Sequence, residues 1–210
     1  MRRCFLWFSI PLCGCATTSV LQSPDPLGQG GVELSAEPGV FGVGTPLDGF
    51  IIPHLGLRFA YGVTDRFDLG ARLSGGGLHV TSRIALLEPD PDALALALMP
   101  TLGGGAIEEA ASFTAQAPLV IGAPLGKGHR FLVGPQLHTW LFNDSSAYEA
   151  NFSAGGQLGF SLATGDFIFL PEISAAYPFA TGIGGPQAGV GTATGFLFQG
   201  GVAVTWRSQP

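Results

Sequence analysis

Charge is what this sequence has least of. Only 11% of its 210 residues are charged, against about 25% in an ordinary soluble domain. It also lacks uninterrupted apolar runs, since Gly or Pro breaks every long one. That excludes a bundle of spanning helices, which needs stretches of roughly 20 apolar residues. Disorder is excluded by the 46% hydrophobic content, because an unfolded chain combines low hydrophobicity with high charge. The 33 glycines follow no three-residue period, so collagen is excluded as well. A net charge of −6 argues against nucleic acid as a partner, which calls for a basic surface. What remains is a Gly-rich, apolar chain of a length that suits one domain.

What the chain does have is alternation of period two, the signal of a strand with two unlike faces. Leu55, Leu57, Phe59 and Tyr61 fall on one face, with His54, Gly56, Arg58 and Ala60 on the other. In residues 67–73 the odd positions are apolar, while Asp68, Gly70 and Arg72 are small or polar. Phe152, Ala154, Leu158, Phe160 and Leu162 alternate with small and polar residues, as do Phe196, Phe198, Val202, Val204 and Trp206. Such runs predict about ten strands, with eight to twelve allowed: 31–43, 50–61, 67–75, 78–87, 93–103, 112–122, 130–142, 151–162, 167–179 and 195–206. The third is short. Most have the 9–11 residues with which a tilted strand crosses a bilayer. Residues 93–99 (ALALALM) have helix-forming composition, but helical spacing would scatter Leu94, Leu96 and Leu98 around a cylinder, so the segment reads as a strand. The fold class predicted is all-β: one antiparallel, up-and-down transmembrane barrel.

The N-terminus carries a different signal. Arg2 and Arg3 precede an apolar stretch from Phe5 to Leu12, and Cys13, Gly14 and Cys15 follow. This resembles the bacterial lipoprotein signal, in which an aliphatic and a small residue precede an invariant Cys. The resemblance implies a signal over residues 1–14, cleavage after Gly14, and diacylglycerol plus a fatty acyl chain on Cys15. Cys13 is the poorer acceptor, because bulky Leu12 would occupy the position needing a small residue. The segment is shorter than the usual 15–30 residues; a plain secretory signal or a small buried strand is the alternative. Ala16 after the Cys, rather than Asp, implies sorting to the outer membrane. With Cys4 and Cys13 removed, no disulfide, redox pair or Cys zinc site can form. Losing Arg2 and Arg3 leaves 7 basic against 15 acidic residues, a net charge of −8. Residues 16–30 (ATTSVLQSPDPLGQG) are polar and contain proline, the composition of a flexible tether. The expected organisation is signal 1–14, acylated Cys and tether 15–30, barrel 31–206 and a tail over 207–210.

The connections alternate in length. Residues 63–66, 88–92, 126–129 and 164–166 read as tight turns, while 44–49, 103–111, 143–149 and 181–194 read as longer loops. Outer-membrane barrels have short periplasmic turns and longer outer loops, and an N-terminus anchored in the periplasmic leaflet puts the tight turns on that side. Tyr61, Phe67, Phe131, Phe167 and Trp206 then lie at periplasmic strand ends. Phe50, Phe113, Phe142, Phe152, Tyr177 and Phe196 lie at outer ends, which gives two aromatic girdles. The ending from Gln199 through Gly201 and Val204 to Trp206 resembles the C-terminal assembly signal of bacterial outer-membrane barrels, here followed by RSQP. Residues 61–70 (YGVTDRFDLG) are similar to a hairpin common in small bacterial barrels. These resemblances imply as partners the outer-membrane lipid and the lipoprotein-processing and barrel-assembly machineries. Proline runs against the pattern: Pro53, Pro100, Pro118, Pro135 and Pro171 fall inside strands, where each removes a ladder donor, and bulges are the expected explanation.

Alternation also aims most of the charge inward. His54, Arg58, Asp68, Arg72, His79 and Arg83 come from strands two to four, with Arg72 opposite His79 and Asp68 opposite Arg83. Glu33, Glu37 and Glu172 supply acids elsewhere on the wall. Two uses are open: a segregated lumen that orients a small polar solute, or a salt-bridge network that fills a narrow barrel. His138 is expected to line the lumen, and Lys127, His129 and Arg130 to form a solvated turn near anionic headgroups. Catalysis is not expected. The ten-stranded outer-membrane proteases pair Asp residues with an Asp–His couple at the outer rim, whereas Asp90 and Asp92 lie at the other end. Lipid-modifying barrels often use His-x-Ser on the outer wall, whereas His79-Val80-Thr81 faces inward with Thr in place of Ser. No metal-ligand spacing or phosphate-binding glycine motif occurs, so no metal or other cofactor is expected. The functional expectation is a structural or passive narrow-pore role. The alternatives are a closed barrel that binds a ligand or partner through its outer loops, and a lipid-tethered soluble β-sandwich or lipocalin-like binder.

Overall fold

The computed structural model describes residues 20–45, 48–74, 77–107, 110–143, 148–184 and 196–208. Their strands are β1 (Val32–Thr45), β2 (Asp48–Thr64), β3 (Phe67–Ser74), β4 (Gly77–Ala85), β5 (Ala95–Leu98), β6 (Thr101–Ile107), β7 (Ala110–Gly126), β8 (His129–Asn143), β9 (Tyr148–Thr164), β10 (Phe167–Gly184) and β11 (Phe196–Ser208). All pairings are antiparallel between neighbours, β3 pairs with both β2 and β4, and β1 pairs with β11, so the sheet closes on itself. β5 and β6 are halves of one interrupted strand. Both lie between β4 and β7, and the pairs Ile84↔Leu98 and Thr81↔Thr101 share one register, as do Leu98↔Leu119 and Thr101↔Gln116. The chain is therefore a closed antiparallel ten-strand barrel, the architecture that its alternation predicts. A β-sandwich is ruled out by the closure.

The period of two places unlike residues on the two sides of the wall. Leu55, Leu57, Leu73, Leu78 and Ile173 are each more than half exposed on the outside. Arg58, Asp68, Arg72, Arg83, Gln136 and Ser153 are buried inside. β7 and β9 have 17 residues each, about 43 Å of height at 3.3 Å per residue and a tilt near 40°, so they outrun an apolar band about 25 Å tall. The same extension shortens the expected loops. β1 and β2 pair as far as Thr45↔Asp48, β6 and β7 as far as Ile107↔Ala110, and β8 and β9 as far as Asn143↔Tyr148. Most of the expected loop over 181–194 lies outside the described residues. The connection around Glu88–Asp92 is not tight: nine residues, 86–94, separate β4 from β5.

The five prolines are not at bulges. The register shifts fall at Gly62/Thr64, Pro124/Gly126 and Pro178/Ala180. Pro53 lies above the β2–β3 ladder, which begins at Leu57↔Leu73, so its missing N–H faces no β3 partner. Pro100 separates β5 from β6, and its carbonyl still accepts from Ser82 N (3.0 Å). Pro118 likewise accepts from Met99 N (3.0 Å). Near Pro118, Pro135 and Pro171 the ladders skip residues and resume unshifted: Pro118↔Gln136 then Ile121↔Val133, and Phe169↔Leu162 then Glu172↔Gly159. At these five positions the register is unchanged, whereas two of the three shifts fall at other prolines, Pro124 and Pro178.

Two further expectations fail at the chain ends. The barrel does not stop at Trp206, because β11 continues to Ser208 with Val32↔Ser208 paired and Arg207 buried. Residues 20–30, whose composition suggests a tether, enter the lumen. Val20, Leu21, Gln22, Ser23 and Leu27 are buried there, and Val20 and Leu21 pack with Ala97, Met99, Val120, Leu132, Ile168, Leu170 and Ala203. The physical reason is that the wall offers this segment both apolar side chains and charged partners, which a composition rule for linkers does not consider.

Candidate functional site: the occupied lumen

Inward positions of five strands build one ion-pair network. β1 contributes Glu33 and Glu37, four residues apart on the lumen side with Ser35 between them. Glu33 accepts from Arg58 of β2 and from Arg207 of β11 (2.6 Å), with Arg83 of β4 at 3.7 Å. Glu37 accepts from Arg58 (2.9 Å) and pairs with Arg72 of β3 (2.6 Å). Asp68 of β3 pairs with Arg83 at 2.5 Å. The predicted cross-strand pairs Arg72↔His79 and Asp68↔Arg83 are both present. Each of these carboxylates and guanidiniums is nearly or fully buried. A charge so placed is tolerated only when it is paired.

The other predicted lumen residues have further partners around that network. His54 Nε2 accepts from Gln199 Nε2 (2.7 Å), His79 Nε2 lies 3.0 Å from Thr114 Oγ1, and His138, expected in the lumen, has Nδ1 3.2 Å from Ser153 Oγ. Glu172 of β10 accepts from the backbone N–H of Val20 (2.8 Å) and Leu21 (3.1 Å). Of the assembly-signal residues, Gln199 is buried inside, while Val204 and Trp206 line an apolar groove on the outer wall with Leu34, Leu57, Phe59 and Phe167. Gly201 sits beside Leu21 of the lumen segment. The girdle residues Tyr61, Phe113, Phe152, Phe167, Tyr177 and Phe196 are exposed, with Tyr177 and Phe196 in ring contact at 5.4 Å. Phe131 packs edge-on to Phe160, and Phe142 stacks on Trp140, in the inward register of β8. Cys15 and the side chain of Phe50 lie outside the described residues.

The lumen segment is held by its backbone. Leu27 N donates to both Asp68 oxygens (3.2 Å each), Arg83 donates to Ser23 O (2.9 Å), and Arg58 to Leu21 O (3.4 Å). Asp25 takes two bonds of 2.7 Å from Arg130 of β8. Arg130 is therefore not part of a solvated turn. It is fully buried, and it also donates to the carbonyls of Ala93 and Asp90. His129, expected in the same turn, accepts from Ala163 N (3.0 Å). At the foot of the segment Gly30 N donates to Gly62 O, and Gly62 N to Gly31 O, both at 2.8 Å. A Cβ on Gly62 would collide with the carbonyl oxygen of Gly28, so glycine is what permits this approach. Leu21 adopts φ +47°, a left-handed conformation that costs a non-glycine residue about 1–2 kcal/mol. Its N–H and C=O bonds to Glu172 and Arg58 offset that cost.

Sequence reasoning missed Asp25, Arg130 and Arg207 as lumen residues. Parity could have found two of them. Arg130 shares the even, inward set of β8 with Leu132, Gln136 and His138, and Arg207 extends the odd set of β11 beyond Thr205. Asp25 had no periodic signal. Among the described residues no group of three or more His, Cys, Asp or Glu could hold a metal ion. A cavity of about 480 Å³ opens at the turn end, between Asp25, Pro26, Asp90, Arg130, Asp166 and Arg207.

No protein-family model matches the chain, and no curated protein sequence matches it. Among solved structures it is similar to the outer-membrane protein OprG of Pseudomonas aeruginosa, with 14% identity over 87% of this chain and 99% of that one, at a TM-score of 0.41. It is also similar to Neisserial surface protein A, with 10% identity over 87% and 100%, TM-score 0.39. An outer-membrane channel of Pseudomonas putida F1 gives 12% identity over 92% and 100%, TM-score 0.43.

Proposed function

We propose that this chain is a non-catalytic barrel of a bacterial outer membrane, acylated at Cys15, with a structural or passive role. One observation carries the reading: the barrel is inside out relative to a soluble protein. Its outer wall is apolar, with Leu57, Ile173 and Phe179 exposed, and its arginines and carboxylates are paired inside. Water-soluble monomers rarely expose contiguous apolar surface beyond a few hundred Å², whereas a bilayer requires it and tolerates only closed barrels among β structures. The filled lumen favours the closed form of the barrel over an open narrow pore. Val20 lies five positions after Cys15, at most about 17 Å of extended chain, so an acyl anchor and the lumen segment would act as one piece. Assembly would use the ending from Gln199 to Trp206.

The test is fractionation joined to gel migration with and without heating. The chain should fractionate with the outer membrane, migrate as a folded band until boiled, and take up labelled fatty acid. Cys15→Ser should lose the label and remain in the membrane fraction. A Cys15→Ser chain that becomes soluble would overturn the transmembrane reading in favour of a tethered soluble domain.

A further inference from the structure

The lumen wall is built to grip a peptide main chain. Glu172 and Asp68 accept from the backbone N–H groups of Val20, Leu21 and Leu27, while Arg58 and Arg83 donate to the carbonyls of Leu21 and Ser23. Acids therefore meet amide donors and arginines meet carbonyl acceptors. A single side chain of the segment, Asp25, takes the charge of Arg130. A wall that only had to fill its own interior would need none of these bonds, because Glu33 and Glu37 already pair with the arginines of β2, β3, β4 and β11.

Charge counting leads the same way. The described lumen acids are Asp25, Glu33, Glu37, Asp68 and Glu172, against Arg58, Arg72, Arg83, Arg130 and Arg207, five against five. Without the segment, Asp25 leaves, and four acids face five arginines. Arg130 loses its carboxylate, and Glu172 and Asp68 lose their amide donors. The segment thus completes the lumen electrostatically as well as sterically. The cavity at the turn end reaches Asp25 and Pro26, so the segment is open to solvent on that side.

We propose that the lumen is a peptide-binding channel occupied in cis by residues 20–30, and that this segment is the removable gate of a conducting path. The ligand class is a peptide with an acidic side chain for Arg130 and free backbone N–H groups for Glu172 and Asp68. The inference rests on the membrane-barrel reading above. Once the segment is out, the path carries one net positive charge and prefers anions.

The experiment is single-channel recording in planar bilayers on the full chain and on a chain lacking residues 16–30, both first checked for heat-modifiable migration. The full chain should be silent, and the shortened chain should show conductance steps. A synthetic peptide of residues 20–31, added from the turn-end side, should abolish those steps, whereas a scrambled peptide should not. If the shortened chain does not fold, Asp25→Arg in the full chain sets a positive charge against Arg130 and should give intermittent openings. A folded, inserted shortened chain that stays silent, a full chain that conducts equally, or steps unaffected by the peptide would each overturn the gate. A full chain that shows no heat shift and never enters a bilayer overturns the membrane reading and this one with it.

Discussion

At the scale of single residues, Glu33 is the hub. Its two oxygens serve Arg58, Arg83 and Arg207 from three strands, so one carboxylate neutralises charge arriving from both sides of β1. Removing one partner of a buried pair leaves an uncompensated charge and costs about 3–5 kcal/mol. Glu33→Gln should therefore lower the temperature at which the folded band is lost on a gel, and far more than Glu88→Gln, whose pair with Arg66 is exposed. Equal shifts for the two variants would contradict the network. Residue identity was largely legible at this scale. Parity alone turned Arg58, Asp68, Arg72, His79 and Arg83 inward, and the structure has each of them buried. Arg130 is harder to place from sequence because it sits at a turn edge, where composition suggests solvent and parity suggests lumen.

At the scale of elements, the strands were readable because alternation is a local consequence of the pleat. Even the interrupted strand fits: the pattern predicts one strand over residues 93–103, and Pro100 divides it into β5 and β6 without moving the register. The lumen segment was not readable. It has no repeating pattern, its bonds run from its own backbone, and its partners lie up to 152 residues away. Gly62 offers a test of how it is seated. A side chain there collides with Gly28 while the rest of β2 is untouched. Gly62→Val should make the bonds around residues 20–30 sensitive to added protease in the folded protein, whereas Gly200→Ala, whose added Cβ meets nothing nearer than Ile173 at 3.8 Å, should not. Protection unchanged in the Gly62 variant would mean that the segment is not held against β2 as described.

At the scale of the whole molecule, scarce charge and abundant glycine have a common cause. A lipid-facing wall excludes charge, and a narrow interior admits only as much as it can pair, so among the described residues five arginines and five carboxylates are grouped in the lumen. Neither the closure of that lumen nor its contents follows from hydropathy, since both depend on contacts between strands far apart in sequence. The central claim, a barrel whose two faces alternate between lipid and a filled lumen, can be measured directly. Single cysteines placed at positions 169 to 176 of β10, in a chain with Cys4, Cys13 and Cys15 changed to Ser, can carry a spin label in reconstituted bilayers. Phe169, Ile173 and Ala175 should give labels relaxed by lipid-dissolved oxygen, and Leu170, Glu172, Ser174 and Ala176 labels shielded from it. Odd positions relaxed instead by a water-soluble nickel chelate, or no alternation along β10, would contradict the account.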